Sequence, residues 1–114
     1  YYVIPFVLDL NKFKFNKDKI IKFLKKEKIV GIVGGYTNLH LLPIFKNKIA
    51  YGKKGFPWSS FNKKIRYKKG ICKNAEELHD KTFFYLALCA YDYKISDMKS
   101  YIHKFKKVWK KITK

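Results

Sequence analysis

The chain has 114 residues and a mass of 13.7 kDa, which is the size of one domain and excludes a complete dehydrogenase or kinase of ordinary length. Its 27 Lys and Arg residues outnumber 8 Asp and Glu residues, and the formal net charge of +19 raises nucleic acid or another anionic polymer as a partner. However, Arg66 is the only arginine. Because bidentate contacts to phosphates and guanines depend on arginine, the composition argues against nucleic acid.

The first third of the chain predicts a strand, a helix and a second strand. Tyr2–Asp9 is β-branched and aromatic, and Pro5 places this strand at a sheet edge or near a strand start. Asn16 offers an N-cap for an amphipathic helix that ends near Lys28. Ile29–Val33 follows as a short buried strand.

Three glycines, Gly31, Gly34 and Gly35, surround the end of the second strand. They have two interpretations, a phosphate-binding loop or a turn in which the backbone changes direction. The turn is favoured, because the segment has neither G-x-G-x-x-G nor a P-loop ending and no helix follows it. The next segment carries Tyr36, Asn38 and His40, and polar loop residues of this kind often face a ligand.

Residues 44–70 predict a long irregular excursion within the domain, rich in glycine, aromatic residues and lysine. Excursions of this length usually serve a function or face a partner. Two interpretations of the aromatic side chains stay open. They pack against another domain or subunit, which is favoured, or they form a stacking platform for single-stranded nucleic acid.

The last third predicts a short helix capped by Asn74, a strand over Phe83–Cys89 and a long helix that starts at Ser96 and Asp97. One face of the long helix is apolar at helical spacing, with Tyr101, Ile102, Phe105, Val108, Trp109 and Ile112. The fold class is therefore α/β with an α+β layering, in which a small, mainly antiparallel sheet carries helices packed on one face.

Candidate groups for catalysis or metal binding are few. The histidines, at 40, 79 and 103, show no ligand spacing, and most of the eight acidic residues are expected at helix starts or on the surface. Cys72 and Cys89 match no zinc spacing, so we expect two free thiols in a reducing cytoplasm and no metal. The apolar stretches are far shorter than the roughly 20 residues of a membrane span, so no membrane partner is expected.

Several segments resemble the C-terminal small domain of the DegT/DnrJ/EryC1/StrS family, the fold-type-I pyridoxal-phosphate aminotransferases that act mainly on keto-sugars. The similar segments cover nearly the whole chain in the order Pro5–Asp9 with Asn16–Ile21, Gly34–Pro43, Cys72–His79 and Leu88–Trp109. Asn38 and Lys73 stand where the family commonly has proline, which changes loop stiffness more than chemistry.

The resemblance implies that residues 1–114 are the C-terminal fragment of a longer cytoplasmic, homodimeric enzyme of sugar or polysaccharide biosynthesis. Its cofactor would be pyridoxal 5'-phosphate, held mainly by an N-terminal large domain that also carries the Schiff-base lysine. No catalytic or cofactor-binding residue is therefore assigned here, and the fragment alone is expected to be inactive. Tyr36, Asn38 and His40 are expected to line the pocket of the acceptor. The expected acceptor is a nucleotide-linked keto-sugar, and the expected donor is an amino acid. The alternative is a stand-alone basic domain that binds nucleic acid or another anionic polymer.

Overall fold

The computed structural model describes residues 1–61 and 65–114, which form two compact units. Residues 1–35 and 78–114 make up the first, here called the sheet unit, and residues 36–77 make up the second, the excursion unit. In chain order the elements are β1 (Val3–Val7), α1 (Lys17–Lys26), β2 (Ile32–Val33), α2 (Pro43–Asn47), α3 (Lys73–Glu77), β3 (Phe83–Ala87) and α4 (Ile95–Ile112), with 3-10 turns at Leu10–Lys12, Leu39–Leu41 and Trp58–Ser60 and a π turn at Leu78–Thr82.

The sheet has three antiparallel strands in the order β1-β3-β2, which confirms the expected mixed α/β class with a small antiparallel sheet. β1 is an edge strand, as predicted. The Leu8 amide donates to the Thr82 carbonyl at 3.0 Å, so the even-numbered residues of β1 bond to β3. Pro5 is odd-numbered, and its backbone therefore faces away from β3, where its missing N–H removes no ladder bond.

The hydrophobic core of the sheet unit lies between one face of the sheet and the helices α1 and α4. Phe84 and Leu86 are two residues apart on β3 and so point to the same face. Phe84 is completely buried and stacks on Phe6 with ring centroids 4.8 Å apart. The core cluster of buried residues is Leu8, Ile20, Ile21, Leu24, Ile29, Ile32, Phe84, Leu86, Val108 and Ile112.

The two longer helices begin as their sequences predict, with small differences. The Asn16 side chain accepts a hydrogen bond from the Lys19 amide at 3.0 Å, which confirms it as the N-cap of α1. α4 starts at Ile95, one residue before the predicted start, because the Asp97 carboxylate accepts from the Lys94 amide at 2.9 Å. The predicted apolar stripe of α4 is not uniformly buried, since Ile102 is 54% exposed.

Two predicted boundaries differ from the structure for local reasons. The second strand is only Ile32–Val33, because Lys28 and Gly31 have positive φ angles of 59° and 83° that interrupt an extended backbone. Asn74 is not a helix cap, because the Glu76 amide bonds to the Cys72 carbonyl at 2.9 Å and the first turn of α3 begins before Asn74.

The segment 44–70 predicted to be irregular also contains regular turns. Pro43 starts the short helix α2, a position at which its fixed φ angle suits a helix and its missing N–H costs no bond. A 3-10 turn follows at Trp58–Ser60. In the described part of the chain, no helix has both the length and the apolarity that crossing a lipid bilayer requires.

Candidate functional site

The three residues predicted to line an acceptor pocket all belong to the excursion unit, but they differ in exposure. Tyr36 is 50% exposed, whereas Asn38 and His40 are both 8% exposed. Asn38 directly precedes the 3-10 turn Leu39–Leu41, and His40 lies inside that turn. Tyr36 is therefore the most exposed of the three.

His40 forms a buried hydrogen bond with a residue far away in the sequence. Its Nε2 atom lies 2.8 Å from Oε1 of Glu76, and both side chains are only 9% exposed. The 3-10 turn supplies the histidine and α3 supplies the glutamate, 36 positions later. This contact joins the beginning and the end of the excursion unit in the sequence.

The Glu76 carboxylate has a second partner. The Gly70 amide donates to both of its oxygens, at 2.8 Å to Oε1 and 2.9 Å to Oε2. Burial works to raise the pKa of Glu76, but the bonds from Gly70 and His40 and the charge of His40 outweigh it and lower that pKa below the ordinary 4.5. The carboxylate is therefore held in its charged form with its acceptor positions occupied.

This arrangement fixes His40 in place more than it offers it to a substrate. An imidazole whose Nε2 is bonded to a buried carboxylate has a fixed ring orientation. Since His40 is almost fully buried, we assign it as a positioning residue for the loop that begins at Tyr36.

The excursion unit also contains a cavity of about 370 Å³. Its lining residues include apolar and aromatic ones, such as Trp58, together with Lys48, Lys53, Asn47 and Ser59. Its volume lies in the range of small-molecule sites, and a mostly apolar wall with a few polar groups is their usual composition. The lining does not include the predicted Tyr36, Asn38 or His40.

The aromatic residues predicted as a partner surface or a stacking platform divide into two groups. Phe45, Trp58 and Tyr67 pack on one another, with ring centroids 5.4 to 6.3 Å apart, and the Trp58 indole donates to the Tyr67 hydroxyl. Tyr51 and Phe56 are 72% and 50% exposed. The first group stabilises the excursion unit, and both interpretations remain predictions for the second.

A buried lysine in the sheet unit binds two backbone carbonyls that flank the excursion unit in the sequence. Lys17 is 5% exposed, and its ammonium donates to the carbonyl of Gly34 and to that of His79. Gly34 lies just before residues 36–77 and His79 just after them. Lys17 therefore ties together the two chain segments of the sheet unit from which the excursion departs and to which it returns. The contact with the Gly34 carbonyl also favours the turn interpretation of the glycines, since a phosphate loop presents amides to its ligand.

Lys17 is the only buried lysine among residues 1–61 and 65–114, and it is engaged with protein atoms. The buried amine of Lys17 is bonded to two carbonyls, so it is not available to form a Schiff base. Within residues 1–61 and 65–114, no group of three or more His, Cys, Asp or Glu side chains could hold a metal ion.

Sequence reasoning missed Lys17, Gly70 and Glu76. The sequence placed Glu76 among surface or helix-start charges, but it is 7% exposed. No local signal marks it, because its partner His40 is 36 positions away. Lys17 follows the helix N-cap, where lysine is usually exposed, and only the fold brings the two carbonyls to it.

No protein-family model, no curated protein and no solved structure matches this chain. The functional conclusion therefore depends on the chemistry of the residues and on the resemblance of the sequence segments.

Proposed function

We propose that this chain is the acceptor-binding part of a pyridoxal-phosphate-dependent aminotransferase that transfers an amino group to a nucleotide-linked keto-sugar. The observation that carries the proposal is the cavity of the excursion unit, whose lining residues include two lysines, two residues with uncharged polar side chains and a tryptophan. A nucleotide-linked sugar offers the complementary groups, which are phosphates, hydroxyls and flat or partly apolar rings.

Each lining residue then has a role that its chemistry allows. Lys48 and Lys53 bind the phosphate oxygens as cations, while Asn47 and Ser59 form hydrogen bonds with hydroxyls. Trp58 packs against a ring face. None of these groups is assigned a proton transfer.

Two of the residues predicted to line the acceptor pocket, Tyr36 and His40, have secondary roles in this proposal. Tyr36 is half-exposed and contributes a phenol hydroxyl at the start of the excursion unit. His40 acts through its hydrogen bond with Glu76, which holds the beginning and the end of the excursion unit together. The cofactor and its lysine belong to a large domain that precedes Tyr1, and the complete enzyme is a cytoplasmic homodimer.

The first test concerns the cofactor. The reading frame is extended upstream of Tyr1, and the longer protein is expressed and scanned for the absorbance of bound pyridoxal phosphate. We expect the absorbance band, and we expect borohydride to fix the cofactor to a lysine upstream of residue 1. A frame that closes at Tyr1, or a longer protein that stays colourless with added cofactor, would contradict the proposal and favour a basic domain that binds an anionic polymer.

The second test concerns the acceptor cavity of that longer enzyme. Replacing Lys48 and Lys53 together by alanine should raise KM for a nucleotide-linked keto-sugar roughly tenfold or more, because two contacts with phosphate are lost. The half-reaction with the amino-acid donor should not change. A double alanine variant at Lys99 and Lys104 on α4 has the same net charge and serves as the control. Equal effects in the two variants would mean that only the overall charge matters.

A further inference from the structure

A second cavity, in the sheet unit, is a groove between the edge strand β1 and the helix α4. Its volume is about 620 Å³. Phe6 and Leu86 contribute from the sheet, and Ile102, Phe105 and Trp109 contribute from α4. This groove has no part in the proposed acceptor site, so the inference drawn from it does not depend on the proposed function.

The groove is apolar and open. All its lining residues except Lys106 have apolar or aromatic side chains. Two of the apolar ones remain accessible, Ile102 at 54% and Ile4 at 38%. The groove residues on α4 extend from Met98 to Trp109, a distance of roughly 16 Å at 1.5 Å per residue, so the groove follows about three turns of helix.

The end of the groove is cationic. Trp109 and Lys106 also line a neighbouring depression, together with His103, Lys107 and Lys110. Lys107 is paired with Glu27 at 2.9 Å. In the part of the chain that the structure describes, Lys106 and Lys110 have no carboxylate partner and the two cavities have no acidic lining residue. An occupant that fits both surfaces has an apolar face and acidic groups.

Two other kinds of occupant fit less well. An added β-strand would need to pair with the outer edge of β1, but Pro5 faces that edge and offers no N–H. A second copy of this chain would bring a net charge of +19 against a lysine-lined surface. A helix needs no hydrogen bonds from the edge, and it places apolar residues along one side over several turns.

We propose that the groove between β1 and α4 binds an acidic amphipathic helix of a partner protein. The apolar residues of the partner, at i, i+3, i+4 and i+7, pack on the accessible side chains of Ile4 and Ile102. Its Asp and Glu residues pair with Lys106 and Lys110 at the open end. Affinity comes from the apolar contacts, and the lysines select an acidic partner.

The test uses the 114-residue chain with Trp58 replaced by phenylalanine, so that Trp109 is the only tryptophan. The probe is a synthetic helical peptide with leucine at the four anchor positions and glutamate on its other faces. We expect saturable binding with a blue shift of Trp109 emission. Ile102→Asp should weaken binding roughly tenfold or more, because it places a charge in the apolar groove. Ile95→Asp is the control, since Ile95 is exposed on the same helix and does not line the groove.

A charge reversal tests the second half of the proposal. Lys106→Glu should weaken binding and reduce its dependence on salt, whereas Lys99→Glu, which changes the net charge equally, should have a smaller effect. A peptide with lysine in place of every glutamate should not bind. Equal binding by the Ile102 and Ile95 variants, or equal binding of the lysine peptide, would overturn the proposal. So would a dimer of the chain alone that Ile102→Asp dissociates, or a single-stranded oligonucleotide that displaces the peptide.

Discussion

The sheet unit and the excursion unit bury different kinds of residues. All the buried apolar residues of the described chain lie in the sheet unit, where β3, α1 and α4 supply most of them. The buried residues described in the excursion unit are Asn38, His40 and Glu76, and all three are polar. The sheet unit is therefore stabilised by buried apolar surface, whereas the fully buried side chains of the excursion unit are polar and its aromatic cluster of Phe45, Trp58 and Tyr67 is only half-buried.

Because the two units bury different kinds of residues, we expect them to be destabilised by different mutations and by different changes of pH. Apolar burial carries no charge, so pH affects it little, while the removal of a methyl or phenyl group affects it directly. A buried polar network is stable only while each member keeps its partner and its protonation state. Variants can therefore be designed that disturb one unit and leave the other unchanged.

The largest effect is expected for Phe84→Ala in the centre of the sheet unit. Phe84 is fully buried and stacked on Phe6, and removal of a buried phenyl ring costs about 3–5 kcal/mol in the free energy of unfolding. Denaturant unfolding followed by circular dichroism measures it. Leu39→Ala is the control, since Leu39 is 66% exposed in the excursion unit and should shift the free energy by less than about 0.5 kcal/mol. An unchanged midpoint for Phe84→Ala would place the core elsewhere.

A smaller effect is expected for Lys17→Met, which keeps the apolar stem and removes the ammonium. The carbonyls of Gly34 and His79 then lose their donor, at a cost of about 1–3 kcal/mol. Hydrogen exchange should speed up most at residues 34–35 and 78–79. Lys22→Met, on the exposed side of the same helix, is the matched control. The same exchange pattern in both variants would contradict the role given to Lys17.

The third effect is confined to the excursion unit and depends on pH. Because the fold lowers the pKa of Glu76 below 4.5, its contribution to stability is fully present above about pH 4.5 and is lost as the pH falls through the lower pKa of the folded state. Hydrogen exchange, corrected for its intrinsic pH dependence, should show residues 36–77 opening in this range before the sheet unit does.

Glu76→Gln separates this interpretation from general acid unfolding. The variant should lose protection of residues 36–77 at neutral pH and should respond less to acid, because the group that titrates is gone. Asp92→Asn, at an exposed position of the sheet unit, should keep the parent's pH response. If both variants show the parent's response, another group controls the opening.

The smallest effect is expected for Lys107→Ala. Its ion pair with Glu27 is short, at 2.9 Å, but the lysine side chain is 70% exposed. Exposed pairs contribute about 0–1 kcal/mol, so the unfolding free energy should change by less than that of Lys17→Met. If Lys107→Ala lowered the free energy of unfolding more than Lys17→Met does, the exposed lysine would contribute more than the buried one, and this prediction would be wrong.

Most of the sheet unit could be predicted from the sequence because its signals are local. Asn16 and the apolar spacing after it predict α1, and the aromatic run from Phe83 predicts β3. The exposure of Ile102 could not be predicted in this way. Helical spacing places it on the apolar face, but the groove between β1 and α4 leaves that part of the face uncovered.

The candidate site could be predicted only in part. The glycine-rich turn directed attention to His40, but its burial and its partner Glu76 depend on contacts across 36 positions. The sequence predicted that residues 44–70 serve a function, but it did not single out the cavity residues Lys48, Lys53 and Trp58. Lysine is so common in this sequence that nothing marked these two, and a cavity is a property of the folded backbone.

Lys17 binds the carbonyls of Gly34 and His79, which flank residues 36–77 in the sequence, and this affects how the protein can vary. Because the ends are fixed by the sheet unit itself, the chain between them can change length at little cost, since each doubling of a flexible loop adds only about 0.6 kcal/mol of closure entropy. The sheet unit then stays constant, and residues 36–77 can be replaced by a segment of different length or sequence. Among relatives that keep a buried lysine at this position, we expect the segment between Gly34 and His79 to differ most.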